Sequence, residues 1–420
     1  MARDDTHQAG GEGQFRALIE EWRVAWRPGI GAIIAGALGY SLWTAVSSLF
    51  VVPLQQEFGW SRGEIAAANY AGLITAFVAP VVGRIVDRFD ARPVLMAGLL
   101  LIGACYFLLS QLTGTLQVYY LLYFFLNLFG MATTGITVTR IVAGNFFRSR
   151  GTALAIARSA LGIAAILTPL LLHPLITRYG STGGFLGLAG LAAFVALPLV
   201  YFLVPDKKAD STSGKAEKKV NPSRILSLLG QRKVLIICAA AALNYAPVVA
   251  IVSQLQPIGM AGGLSDGAAA GGIGFLGAAA AAGALLSGLL VDRFWAPAVA
   301  FTLNMAAAAG CATLLVFSGS LSPAIFYGAV FLIGVGQGAE IDVVAYMIAR
   351  YFGLADYSTI YGLSVTCIAL GTAISASLIG SAYDHFGNYN VAILCCSASF
   401  AMASIAYLMM GRYPRAKSEE

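Results

Sequence analysis

Residues 83–89 read GRIVDRF and residues 288–294 read GLLVDRF, an offset of 205. Each copy opens on a glycine, closes on Asp-Arg-Phe and stands at the end of a long apolar run, which marks equivalent corners of a duplicated unit. Phe146-Phe147 finds its match in Tyr351-Phe352 at the same offset, and RYG ending at Gly180 matches HFG ending at Gly387 at an offset of 207. Between the copies lies the longest polar interruption, residues 206–233, DKKADSTSGKAEKKVNPSRILSLLGQRK. Its Lys- and Ser-rich first part is expected to be disordered, and NPSRILSLLGQRK is amphipathic enough to lie on a membrane surface.

What is duplicated follows from composition. The chain has 420 residues, 58% hydrophobic and 11% charged, with a mean hydropathy of +0.78. That is more apolar surface than a water-soluble fold of this length can bury, so it predicts a membrane protein. A hydrocarbon core of about 30 Å takes about 20 apolar residues per helix. Twelve runs of that size begin near Ile30, Ile65, Pro93, Gln117, Gly151, Thr182, Val234, Gly267, Pro297, Ser322, Ser358 and Asn390. Long uncharged runs favour helices over barrel strands, whose mark is alternation over about ten residues. The expectation is an all-α membrane protein of twelve transmembrane helices in two pseudo-symmetric six-helix bundles, residues 29–204 and 234–411. Around them stand a cytoplasmic N-terminal segment (1–28), a linker (205–233) and a tail (412–420). Phe15, Leu18, Ile19, Trp22 and Trp26 fall near one helix face and predict an interfacial helix. Parallel six-span repeats are the architecture of alternating-access carriers.

With both termini in the cytoplasm, Arg62 and Arg178 fall outside and Arg140 and Arg158 within spans, leaving 22 of the 26 Lys and Arg on the cytoplasmic side. That bias predicts the orientation. It also accounts for the net charge of +6 through topology and anionic headgroups, with no call for nucleic acid. The six cysteines all lie in apolar runs without metal or redox spacing and read as free, buried thiols. No Ser-His-acid set, metal spacing or phosphate loop suggests an enzyme, a cofactor or ATP use.

The loop GRIVDRFDAR resembles the signature of the major facilitator superfamily, which Gly83, Asp87, Arg88 and Arg92 fit, with Asp90 where the family has glycine. The second copy keeps Gly288, Asp292 and Arg293, whereas Trp295 and Pro297 replace the later Gly and Arg. VPLQQEFGWSRGEIAAA (52–68) and GAEIDVVAYMIARYFG (338–353) are similar to the bacterial branch related to monocarboxylate porters. The eighth span, Gly267 to Leu290, carries no charge, where the animal carriers have an Asp and an Arg. The resemblance implies the major facilitator fold, and gating roles for Asp87, Arg88, Arg92, Asp292 and Arg293, whose side chains can cap or pair helix ends in one state and release them in another.

Four charged residues lie inside predicted spans: Arg140, Arg158, Glu340 and Asp342. A charge at the bilayer centre costs at least about 2.5–3.5 kcal/mol, which makes each a candidate for substrate binding or proton coupling. Arg140 lies nine residues before Ser149 and Arg158 nine after it, so the two sit at matched depth on adjacent antiparallel helices. Glu340 and Asp342 are two apart, about 200° around the helix, and cannot share a line. Asp342 shares a face with Gly334 and Gly338, spaced for close helix contact, and Glu340 lies behind Gly336. Which acid faces the cavity is open. Tyr40, Asn69, Tyr70, Asn244 and Tyr245 are the uncharged cavity-lining candidates, and His173 and His385 read as interface histidines.

The expected function is secondary active transport of a small, carboxylate-like organic anion by alternating access. One acid would titrate while an arginine receives the anion, which couples uptake to the proton gradient. The expected setting is the lipid bilayer of a bacterial inner membrane, with the protein a monomer. The alternatives are an exporter of a larger amphipathic metabolite or peptide, or a transporter-like sensor without turnover.

Overall fold

The computed structural model describes residues 5–73, 89, 91–146, 150–205, 227–353 and 356–413. Among these residues all regular structure is helical, as burial of backbone polar groups in lipid requires. In chain order the helices are α1 (Asp5–Leu38), α2 (Tyr40–Val46), α3 (Val51–Phe58), α4 (Arg62–Ala67), α5 (Ala91–Leu109), α6 (Leu116–Gly130), α7 (Gly135–Asn145) and α8 (Arg150–Gly190). They continue with α9 (Leu197–Leu203), α10 (Arg232–Ser253), α11 (Leu255–Ala261), α12 (Asp266–Arg293), α13 (Ala296–Val316), α14 (Pro323–Phe352), α15 (Tyr357–Phe386) and α16 (Asn390–Leu408).

Ten stretches among the described residues are long and apolar enough to cross a membrane. One of them, Ala164–Leu203, runs through both the fifth and the sixth predicted spans. The two are parted at Gly180, whose φ of 65° is a left-handed conformation that only glycine adopts at little cost. The second predicted span falls largely on residues 74–88, outside the described ones. The protein is a multi-pass integral membrane protein, and its outward faces are apolar, with Phe194, Phe202, Leu285 and Ile405 all exposed. The six cysteines are free, but burial holds only in part: Cys395 is exposed and Cys367 half-buried. At the N-terminus α1 kinks at Ala25. Trp22 is half-buried with its ring 5.2 Å from Phe146, and Trp26 is exposed. The side chains of Phe15, Leu18 and Ile19 lie outside the described ones.

The helices gather into two compact units, Met1–Thr44 with Phe77–Asp210, and Ala45–Ala76 with Ser211–Glu420. In the first unit α1 packs on α7 and α8, and α5 on α6 and α8. Its core centres on fully buried Trp43, stacked on Phe185 at 5.9 Å and edge-on to Tyr123 at 5.8 Å. Gly130 lets α6 approach Tyr40, since a Cβ there would stand 2.4 Å from the ring.

In the second unit α12 meets α14 almost backbone to backbone. A Cβ on Gly338 would stand 1.7 Å from the Ala280 carbonyl oxygen, and one on Gly283 would stand 2.2 Å from that of Val335. Gly334 meets Ala279 and Leu276 in the same way, so the Gly334/Gly338 face makes the close helix contact its spacing predicts. On another face of α14, Gly336 lies against Ala307 and Leu303 of α13. The stretch 45–76, which belongs to the first copy in sequence, packs here with the C-terminal helices, chiefly as α4 against α15. That contact is also made through glycine: a Cβ on Gly380 would stand 2.5 Å from the Arg62 carbonyl oxygen.

Candidate functional site

The polar centre of the second unit follows from the two glycine-lined faces of α14. With Gly334 and Gly338 against α12, the face carrying Gly336 and Glu340 turns to α10, α13 and α16. There Asn244 (α10), Ala300, Leu303 and Asn304 (α13), Gly336, Glu340 and Val343 (α14) and Tyr407 (α16) line a cavity of about 10 Å³, room for about one water. Glu340 is 3% exposed, Asn304 3%, Asn244 2% and Tyr407 1%. Both Glu340 carboxyl oxygens and the two asparagine Oδ1 atoms have no hydrogen-bond partner among the described residues, and the Tyr407 hydroxyl has the Asn244 side chain beside it. Buried polar atoms are nearly always paired, so four orphans around one cavity mark a place built to hold something.

A second polar cluster fastens α4 to the C-terminal helices. Ser61 caps α4 in a capping box with Glu64. The Asp384 carboxylate accepts from the Arg62 amide at 3.1 Å and the Gly63 amide at 2.6 Å, the free donors of the first turn. The Arg62 guanidinium lies 3.8 Å over the Tyr383 ring and donates to the Tyr389 hydroxyl at 2.6 Å, which donates in turn to Gln254 at 2.9 Å. Burial pushes the Tyr389 phenol well above the usual tyrosine range, and the Arg62 charge opposes that shift. Sequence reading missed this cluster, although S-x-x-E at residues 61–64 is a capping-box pattern.

The structure distributes the predicted residues unevenly. Glu340 and Asn244 come together, joined by Asn304 and Tyr407, which sequence reading did not single out. Arg140 is half-buried on α7. The Tyr40 hydroxyl donates to Asn127 at 2.5 Å, and its backbone amide donates to Thr133 Oγ1 at 2.9 Å. Asn69 donates to the Ala66 carbonyl at 2.9 Å, Tyr70 is exposed and Tyr245 half-buried. Arg92 donates to the Tyr201 carbonyl at 2.9 Å and lies 4.7 Å over that ring, tying α5 to α9. Arg293 is exposed at the end of α12. His173 pairs with Thr177 at 2.9 Å, and His385 is exposed. The side chains of Arg158, Asp292 and Asp342, and all of Asp87 and Arg88, lie outside the described residues. No group of His, Cys, Asp and Glu among the described residues could hold a metal ion.

Residues 30–376 match the family model of the Major Facilitator Superfamily. The chain belongs to the Major Facilitator Superfamily. Membership makes this major facilitator protein a transporter and not an enzyme. It is similar to human monocarboxylate transporter 2, at 25% identity over 91% of this chain and 85% of that one. Among solved structures its fold resembles the nucleoside transporter NupG, with a TM-score of 0.72 and 12% identity over 93% of this chain and 99% of that one. It likewise resembles a D-xylose–proton symporter, with a TM-score of 0.70 and 16% identity over 93% of this chain and 98% of that one. These two likenesses establish the shared fold.

Proposed function

We propose that this major facilitator protein takes up a small, carboxylate-like organic anion together with a proton by alternating access. The observation that carries the reading is Glu340, a buried acid in a membrane-crossing helix with no donor on either oxygen among the described residues. Ionised, it would bear the cost of an intramembrane charge; neutral, it avoids that cost and holds a proton. Arg140 and Arg158 are the candidates for receiving the anion, and Glu340 and Asp342 for carrying the proton. The name of the human relative, a monocarboxylate transporter, supports the anion class. The excess of Lys and Arg in cytoplasmic segments supports cytoplasmic termini and an inner-membrane setting. The protein works as a monomer, with the proton gradient as its energy source and no cofactor.

The test is uptake of labelled mono- and dicarboxylates into vesicles reconstituted with the purified protein, with and without an imposed pH gradient, alkaline inside. The gradient is expected to drive accumulation of one of these anions, and replacing Arg140 by alanine to weaken it at least tenfold. Uptake indifferent to the gradient, or gradient-driven uptake unchanged by Glu340→Gln with Asp342→Asn, refutes the coupling. Absence of carboxylate counterflow altogether refutes the anion class.

A further inference from the structure

Asn304 and Tyr407 have no part in any reading of the sequence, yet they complete the cavity around Glu340. The groups lining it share one property. An asparagine amide offers an oxygen on one side and an N–H on the other, and a phenol can donate or accept. By rotating, each can accept from the O–H of a neutral Glu340 or donate to its carboxylate, and one water in the cavity can do either. A lining in which every polar neighbour can reverse its role fits a carboxyl that exists in two protonation states.

The charges around the cavity point the same way. No cation lines it. The α12 groups that meet α14 here are Leu276, Ala279, Ala280, Gly283 and Ala284, and none of them titrates. Cys238 of α10, Tyr357, Tyr361 and Cys367 of α15, and Tyr346 and Tyr351 of α14 itself border the same core, and thiols and phenols form no cation. Lys233 stands over Tyr351 at 5.2 Å, eleven residues along α10 from Asn244, or about 16 Å on the helical rise. Asp342 lies two residues on, and its side chain is outside the described ones. An ionised Glu340 would thus be a buried charge without a counter-ion among these groups, a state that costs several kcal/mol.

We propose that Glu340, Asn244, Asn304 and Tyr407 form a proton-binding site inside the C-terminal unit, completed by one water. The site deepens the proton-coupled reading and rests on it for its part in transport. It assigns the proton to Glu340 and makes Asn304 and Tyr407 the residues that set its affinity.

The test is infrared difference spectroscopy of the purified full-length protein in lipid, stepped in pH without substrate. The carbonyl band of a protonated, desolvated carboxyl is expected to titrate in the native protein and to vanish in Glu340→Gln. Tyr407→Phe and Asn304→Leu are close in shape and serve if Glu340→Gln misfolds. Each is expected to move the midpoint of that band by about one pH unit, a tenfold change in proton affinity. A band unmoved by all three substitutions overturns the proposal. So does sodium, compared with potassium at equal ionic strength, abolishing the titration, because the site would then hold a metal cation. If the band titrates as expected but uptake ignores the pH gradient, the coupled-transport reading fails and the site stands. If uptake follows the gradient with no such band, the site fails and the coupling passes to Asp342.

Discussion

Asp384 reaches α4 from the end of α15, and its removal should be read at two particular amides. In the first turn of any helix the N–H groups have no partner within the helix. Protection of the Arg62 and Gly63 amides therefore depends on the Asp384 carboxylate, at 3.1 and 2.6 Å. A hydrogen bond to a charged group contributes about 1.5–3 kcal/mol. Asp384 is exposed to solvent, which screens it, so about 2 kcal/mol for the two bonds together is the appropriate figure. At 1.4 kcal/mol per tenfold, Asp384→Ala should accelerate exchange of these two amides by about thirtyfold. Asp384→Asn keeps an acceptor without its charge and should give about fivefold, half that free energy. The assay is native-state hydrogen exchange read by mass spectrometry on peptides covering residues 60–70, with peptides from α13 and α16 as internal controls. Unchanged exchange at Arg62 and Gly63 in Asp384→Ala would refute the reasoning, and equal acceleration in the control peptides would show global destabilisation instead of local release.

Two further outcomes follow from the same unit. Gly338→Leu should destabilise the protein by 3 kcal/mol or more, roughly the upper range for overpacking, because even a Cβ there meets the Ala280 carbonyl oxygen at 1.7 Å; a thermal midpoint within a degree of the native one would contradict the close contact. Tyr389 has a raised phenol pKa in the folded state, so its stabilising contribution is complete below the ordinary tyrosine value near 10 and is lost only as pH rises through the higher folded value. Tyrosinate absorbance, taken as native minus Tyr389→Phe, should therefore appear at higher pH than that of exposed tyrosines, and Arg62→Leu should delay it further. Ionisation together with the exposed tyrosines would remove the inferred burial.

The membrane class and the span pattern were legible because each rests on long averages: runs of about 20 apolar residues survive local irregularity. The glycine face of α14 was legible from a spacing of four. Sequence could not choose between Glu340 and Asp342, since a helix with apolar residues all round gives no sign of which side meets which neighbour. Asn304 and Tyr407 were missed for a related reason. A single amide or phenol in a span carries no periodic mark, and its importance depends on which helices stand opposite. The pairing of residues 45–76 with the C-terminal helices was hidden more deeply, because the repeat assigns that stretch to the first copy, and its partner shows only in contacts far apart in sequence such as Arg62 with Asp384 and Gly380.

The near side-chain-free contact between α12 and α14 bears on how the protein is made. Between helices in lipid no hydrophobic force draws partners together, so association depends on close packing with the right surface. Helix α12 ends at Arg293 and α14 at Phe352, so synthesis of the intervening chain takes about 3–12 s at 5–20 residues per second. For that interval the glycine and alanine face of α12 lies in the bilayer without its partner, open to any other small-residue helix that arrives first. Prompt, undisturbed elongation through α13 and α14 is thus a condition for correct assembly, and slowing translation over residues 294–352 should lower the yield of folded protein without changing a single residue.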